Sequence, residues 1–325
     1  MNFLQLSEPV YGGWIAFTHH LSMSFKALGH CPNIYKLGNN DEKKERPFYD
    51  MTTYRNLAAP SMTQVLTSKE PKLITSVDKH NLDFLLGVKP VNTALVIHDP
   101  TEFKGTLLDW VRKHKVPVVG IRKKPTETMV KNGVNARFIR HPYWQAPVKI
   151  KKEKKLQGVC FSRVDWDKNT HVIAEANESL EFDQRISIYG AMNNLYWFNK
   201  IKPIAPHWNE YYFGKFPKTS TAQAELAAAS RWVVDLSVIV GDGGGTQYTF
   251  LEAWDQGTPL IIHSAWVSPG DDMRVGVNCL AAGTAEELVL AIKSRDNLKL
   301  AEQGRVALQN HKPSAIVPQY LGLFK

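Results

Sequence analysis

The chain has 325 residues, of which 43% are hydrophobic and 22% charged. This length suits two domains with separate cores, and the composition excludes disordered and fibrous classes. Forty basic against 31 acidic residues leave a formal charge of +9, which favours polyanionic partners such as nucleic acid, nucleotide phosphates or anionic lipid.

No apolar run reaches the length of a membrane span. The opening MNFLQLSEPVYGG lacks a basic region followed by a long apolar one, so no signal peptide is expected. Cys31, Cys160 and Cys279 are few and far apart, which fits a reduced, cytoplasmic compartment.

Short runs that are apolar on both faces alternate with helical patterns. A strand at Met1–Leu6 precedes a helix at Gly13–Leu28. Strands follow at Pro32–Leu37, Lys72–Ser76 and Ala94–His98, then a helix at Thr106–Lys115 and strands at Val116–Ile121 and Arg137–Ile139. The stretch His141–Gly158 carries two prolines and a lysine run, and reads as a linker.

Beyond it come a strand at Gly158–Phe161, a helix at Lys168–Asn177, strands at Arg185–Tyr189 and Tyr211–Gly214, and a helix at Thr221–Ala229. A strand at Trp232–Leu236, a helix at Tyr248–Gln256, strands at Pro259–Ile262 and Asn278–Ala281 and a helix at Ala285–Lys293 complete the pattern. Repeated strand–helix–strand order predicts α/β architecture with two doubly wound parallel sheets. The expected domains are 1–150 and 151–300, with a helical tail at 301–325 able to fold back on either.

Ligands of such sheets bind beyond the carboxyl ends of the strands. The first such loop, Ser7 to Gly13, ends in Gly12-Gly13 at a helix start. It is either an anion site built on bare amides or a plain tight turn. It matches neither the G-x-G-x-x-G signature nor a P-loop.

After strand Gly158–Phe161, Arg163 and Lys168 stand in one loop. They are either a pair of cations for a diphosphate or two surface bases. Asp165 and Asp167, one residue apart between them, are not read as a metal site.

The stretch GDGGGTQYTFLEAWDQGTPLI places Gly243, Gly244 and Gly245 before a helix containing Glu252. The glycines would let a phosphate or sugar approach, and Glu252 would accept hydrogen bonds from ribose hydroxyls. The alternative is a flexible turn with Glu252 solvated. His98 and Asp99, ahead of Pro100, would position an acceptor or handle a proton, or His98 simply caps its strand.

His19, His20, His114 and His171 are read as structural. Lys113 and Lys115, Arg122, Lys123 and Lys124, and the run Lys151 to Lys155 form either a basic face or solvated loops.

In order and spacing these loops resemble the large retaining family of nucleotide-sugar glycosyltransferases of GT-B architecture. The glycine pair leads to Leu28-Gly29-His30, Arg163 precedes Lys168 by five, and Tyr189-Gly190 forms the next strand's turn. The most specific segment is Leu251-Glu252-Ala253 followed by Gly257-Thr258-Pro259-Leu260-Ile261. The resemblance implies two facing Rossmann-like domains with a cleft between them, the second binding the donor and the first the acceptor.

It further implies that Arg163 and Lys168 hold the donor diphosphate and Glu252 its ribose. Gly245, Thr246, Gln247 and Tyr248 would line sugar and phosphates, Tyr189 and Gly190 would bind the donor with them, Gly12 and Gly13 would close over them, and His98 would stand beside the sugar. The family's second acid, eight positions before Glu252, is replaced by Gly244, which rearranges the expected sugar pocket.

Tyr248 to Glu252 and Ile97-His98-Asp99 are also similar to segments of phage α-glucosyltransferases that modify hydroxymethylcytosine in DNA. The resemblance therefore implies transfer from a nucleotide sugar such as a UDP-sugar, with retention and without an obligatory metal, to a hydroxymethylated base in double-stranded DNA. Lys113, Lys115, Arg122, Lys123 and Lys124 would contact the DNA backbone. Three alternatives stay open: transfer to a surface glycan or lipid carrier, a sugar-nucleotide epimerase, and a non-catalytic nucleic-acid-binding protein.

Overall fold

The computed structural model describes residues 1–7, 13–49, 51–98, 105–145, 156–217, 219–239, 241, 243–267, 272–294 and 297–324. Its chain divides into two units, Met1–Trp144 with Asn310–Lys325, and Gln145–Gln309.

The first unit is built on eight strands: β1 (Asn2–Leu6), β2 (Asn33–Leu37), β3 (Arg46–Tyr49), β4 (Thr52–Leu57), β5 (Lys72–Val77), β6 (Thr93–Ile97), β7 (Val118–Gly120) and β8 (Ala136–Phe138). They run in the order β3-β4-β2-β1-β5-β6-β7-β8. All pair in parallel except β3 with β4. The inner strands are buried along their length, which is why β1 and β6 read as continuous apolar runs.

Helix Gly13–Ala27 is buried nearly all round, from Ile15 to Phe25. The closing helix, Pro313–Leu321, packs on it and buries Ile316, Val317 and Tyr320. Its approach is fixed where Tyr143 N–H donates to the His311 carbonyl at 2.8 Å and His311 Nδ1 donates to the His141 carbonyl at 2.8 Å. The chain's end therefore belongs to the first unit, whereas Asn297–Leu308 belongs to the second.

The second unit holds β9 (Leu156–Cys160), β10 (Ile186–Ile188), β11 (Ser230–Asp235), β12 (Leu260–His263) and β13 (Leu280–Ala282). They form one parallel sheet in the order β10-β9-β11-β12-β13. Ile186, Ile188, Trp232, Val234 and Ile261 join Ile173, Leu288 and Ile292 of the flanking helices in its core.

The chain leaves β9 toward β10 on one side and returns to β11 on the other. The strand order thus reverses at β9, the kind of point at which doubly wound sheets hold ligands. The first sheet has the same arrangement about β1, flanked by β2 and β5.

Sequence reasoning misses β3, whose Arg46-Pro47-Phe48-Tyr49 offers no apolar run, and β4, where exposed Thr53 and Arg55 alternate with buried Thr52 and Tyr54, and it misses helices Ala59–Thr67, Leu82–Leu86 and Lys123–Lys131. The expected strand Tyr211–Gly214 makes a single bridge, Ile188 to Tyr212. Tyr212 instead stacks on Trp208 with ring centroids 4.8 Å apart, following the 3-10 turn Trp208–Glu210. Much of the expected linker, 146–155, lies outside the described residues. Among them, no helix is long and apolar enough to cross a membrane.

Candidate functional site

The second unit concentrates its polar chemistry where β9 and β11 end. Beyond β9 the chain makes a tight 3-10 turn, Trp166–Lys168, capped by Asp165, which accepts from the Trp166 amide at 2.9 Å. Asn169 then takes a left-handed conformation, φ 46°, and helix Thr170–Glu178 begins.

This folding puts Arg163 and Lys168 into one loop, each facing acids. Arg163 Nη1 donates to Asp165 at 2.9 Å and Nη2 lies 3.4 Å from both Asp167 oxygens. Lys168 Nζ donates to Ser237 Oγ at 3.0 Å and stands 3.3 Å from Asp167. Arg163 keeps half its side chain exposed, whereas Lys168 is largely covered. Among the described residues no group of His, Cys, Asp and Glu has the arrangement of a metal site.

The loop is fastened to the end of β11. Asn169 Nδ2 donates to the Leu236 carbonyl at 2.9 Å, and the Val238 amide donates to the Asp167 carbonyl at 2.8 Å. On its other side the Val164 amide donates to Ala191 and the Asn193 amide to Val164. Asn193 also reaches Asp165 through its side chain at 2.9 Å.

Between these contacts Gly190 lies flat against Ser162, and its amide donates to the Gly214 carbonyl. Tyr189 turns its ring onto Phe213, stacked at 5.1 Å, and burial raises its hydroxyl's pKa.

Beyond β11, Gly243, Gly244 and Gly245 all have positive φ, 72°, 92° and 99°. Only glycine adopts three such residues in a row without strain. The Gly245 carbonyl accepts from the Trp266 indole at 2.7 Å, which pins the loop. Thr246 is buried, Gln247 stands at the N-cap position of helix Tyr248–Asp255 without a side-chain capping bond, and Tyr248 starts the helix.

Glu252 is 2% exposed. Its carboxyl is pushed well above the usual range by burial, then by nearby Asp235 and Asp255, because removal from water and neighbouring negative charge both disfavour ionisation. The solvated alternative for Glu252 is thereby excluded. Burial and Asp235 also push the Cys160 thiol up to about 11, with Ser162 and Lys168 opposing. Asp235 therefore acts on both Cys160, at the end of β9, and Glu252.

In the first unit, His98 follows β6 and is half-buried, its ring edge-on to Phe17 at 4.7 Å. Its Nε2 lies 2.7 Å from the Thr75 carbonyl, an atom that only accepts, so the proton sits on Nε2. Gly13 begins its helix with open space where a Cβ would stand. Gly12 and Asp99 lie outside the described residues.

Lys113, Lys115, Lys123 and Lys124 are exposed. Arg122 departs from the expected basic face. It is 7% exposed, and its charge acts on buried His141.

Sequence reasoning misses Ser237, Asp235, Asn169 and Trp266. One legible signal is Asp235 itself, an acid ending the apolar run Trp232 to Val234. Trp266, in a short turn after β12, carries none.

Two Rossmann-like units built on parallel sheets, one of eight strands and one of five, give the chain the GT-B fold class. The fold is shared with a S. aureus TarM mutant in complex with fondaparinux, alpha-GlcNAc-glycerol and UDP, at TM-score 0.71 and 12% identity over 99% of both chains. It is shared with Anabaena HepE in complex with UDP and glucose, at TM-score 0.68 and 14% identity over 99% of this chain and 98% of that one. An alpha-glucosyltransferase in complex with UDP and a 13-mer DNA containing a HMU base matches at 0.67 and 13% over 99% and 98%. At such identities the likeness is one of fold. No family model matches the chain, and no curated protein sequence does.

Proposed function

We propose that this chain is a glycosyltransferase that moves a sugar from a nucleoside-diphosphate sugar, a UDP-sugar, to an acceptor hydroxyl with retention. The observation that carries this reading is that the loop holding Arg163 and Lys168 follows β9 and bonds through Lys168 to Ser237 after neighbouring β11, whose onward connection carries the three positive-φ glycines, at the point where the strand order reverses. The shared fold with structures that hold UDP supports it.

Breaking the anomeric bond leaves negative charge on the diphosphate. Arg163, Lys168 and amides at the start of helix Tyr248–Asp255 would stabilise that charge. Gly245, Thr246, Gln247, Tyr248, Tyr189 and Gly190 would line the donor, and Gly12 and Gly13 would approach it closely. Glu252 would accept from the ribose. His98, with its proton on Nε2, and Asp99 would serve the sugar and acceptor.

For the acceptor we favour a hydroxymethylated base in duplex DNA, flipped from the stack for reaction. Support comes from the net charge, the exposed lysines Lys113, Lys115, Lys123 and Lys124, and a solved structure of this fold in complex with modified DNA. Backbone contacts of this kind weaken steeply with salt.

The test is UDP release from UDP-glucose and other UDP-sugars, with and without hydroxymethylated DNA. Release that requires the modified DNA supports the reading. Release stimulated instead by glycan or lipid acceptors overturns the DNA assignment. Tight DNA binding without release from any donor supports a non-catalytic role.

A further inference from the structure

The Lys168 ammonium ends a flexible four-carbon stem, and a point charge stabilises a diphosphate only where it is held. What holds it is a hydroxyl. Lys168 Nζ donates to Ser237 Oγ at 3.0 Å. Ser237 Oγ donates in turn to Asp235 Oδ1, and the Ser237 amide donates to the same oxygen at 3.0 Å. Asp235 Oδ2 has no hydrogen-bond partner among the described residues, so the hydrogen bonds of this carboxylate all come from Ser237.

A hydroxyl has one proton. With that proton committed to Asp235, Ser237 can meet Lys168 only as an acceptor. Ser237 and Asp235 are 0% and 1% exposed, so water does not compete for either group. The backbone on both sides is clamped by Asn169 to Leu236 and by Val238 to Asp167. The intervening hydroxyl holds the ammonium without a direct Asp235–Lys168 ion pair, so the acid that faces the cation is the more exposed Asp167, 3.3 Å away, which an incoming phosphate can displace.

We propose that Ser237, oriented by Asp235, is the positioning residue of Lys168 for the donor diphosphate. This assignment rests on the function proposed above and deepens it. Ser237 touches no reacting atom and acts through the ammonium alone.

The experiment is a double-mutant cycle on the full chain, read by UDP titration and by turnover of UDP-glucose. Ser237→Ala is expected to weaken UDP about tenfold, the scale of one hydrogen bond to a charged group, and Ser237→Thr, which keeps the hydroxyl, to restore most of it. In a Lys168→Ala background, Ser237→Ala is expected to change nothing further.

An equal loss from Ser237→Ala with and without Lys168 would show a merely structural role and overturn the assignment, as would unaltered UDP affinity in Ser237→Ala. Should Ser237→Ala unfold, the comparison of Ser237→Thr with the unaltered chain decides. A retained affinity supports the assignment, and a loss as large as that of Lys168→Ala refutes it. Failure of the unaltered chain to bind UDP overturns the proposed function itself, and the assignment with it.

Discussion

Gly190 meets Ser162 so closely that a Cβ on Gly190 would stand 1.9 Å from the Ser162 carbonyl oxygen and 2.8 Å from its carbonyl carbon. The atoms it would strike are backbone, one residue before Arg163, and Gly190 itself has φ 150°. Gly190→Ala must therefore displace the cation loop or distort the turn after β10. We expect a loss of roughly 1–3 kcal/mol of stability, the scale of strained backbone. Thermal unfolding checks it, and UDP affinity should fall with it.

Asp165 and Asp167 both face Arg163, with different duties. Asp165 also caps Trp166 and accepts from Asn193, so it shapes the loop. Asp167 offers Arg163 contacts of 3.4 Å and stands 3.3 Å from Lys168, competing with any incoming phosphate. Ion pairs this exposed are worth about 0–1 kcal/mol. Asp167→Asn is therefore expected to tighten UDP by up to about fivefold in calorimetric titration, whereas Asp165→Asn should lower thermal stability.

Glu252 sets a pH dependence. Its folded pKa lies well above the ordinary 4.5 because of burial, then Asp235 and Asp255. The folded chain thus holds this proton more tightly than the unfolded one. Stability from the group is full below about pH 4.5 and declines as pH rises through the folded value. Glu252→Gln should abolish that decline and be the more stable protein at pH 8, by roughly 1–3 kcal/mol. Denaturant melts of both proteins at pH 4.5 and at about pH 8 check the sign.

The first unit has the opposite sensitivity. His20 and His141 are buried and held well below the ordinary 6.5, first by burial. His19 acts further on His20, and Arg122, His311, His98 and His20 act on His141. Their contribution to stability is present above pH 6.5 and is lost as pH falls, by about 1.4 kcal/mol per pH unit for each histidine. Melts across that range should show the loss, and His20→Gln should reduce its slope.

The parallel strands are legible in the sequence because each is an apolar run bounded by turn chemistry. The loop holding Arg163 and Lys168 is legible because two cations follow such a run at short spacing. The glycine loop is legible as a turn because three adjacent glycines admit the positive φ values found there. What escapes the sequence depends on tertiary surroundings.

Ser237 is one serine at a strand end until Lys168 and Asp235 are brought to it. Arg122 looks like a partner of Lys123 and Lys124, but the fold turns it inward toward His141. Strand β4 has few apolar residues and the edge strand β3 beside it carries a proline, so both read as loop. The final helix carries no mark of which unit it joins until His311 meets His141.

The central claim is that a diphosphate is held by the cations at the end of β9. Its most direct test is calorimetric titration of the unaltered chain and of Arg163→Ala with UDP. The account predicts saturable binding by the unaltered chain and an affinity about 10-fold to 100-fold weaker in the variant, the scale of charge-assisted hydrogen bonds. Equal affinities in the two proteins would contradict it.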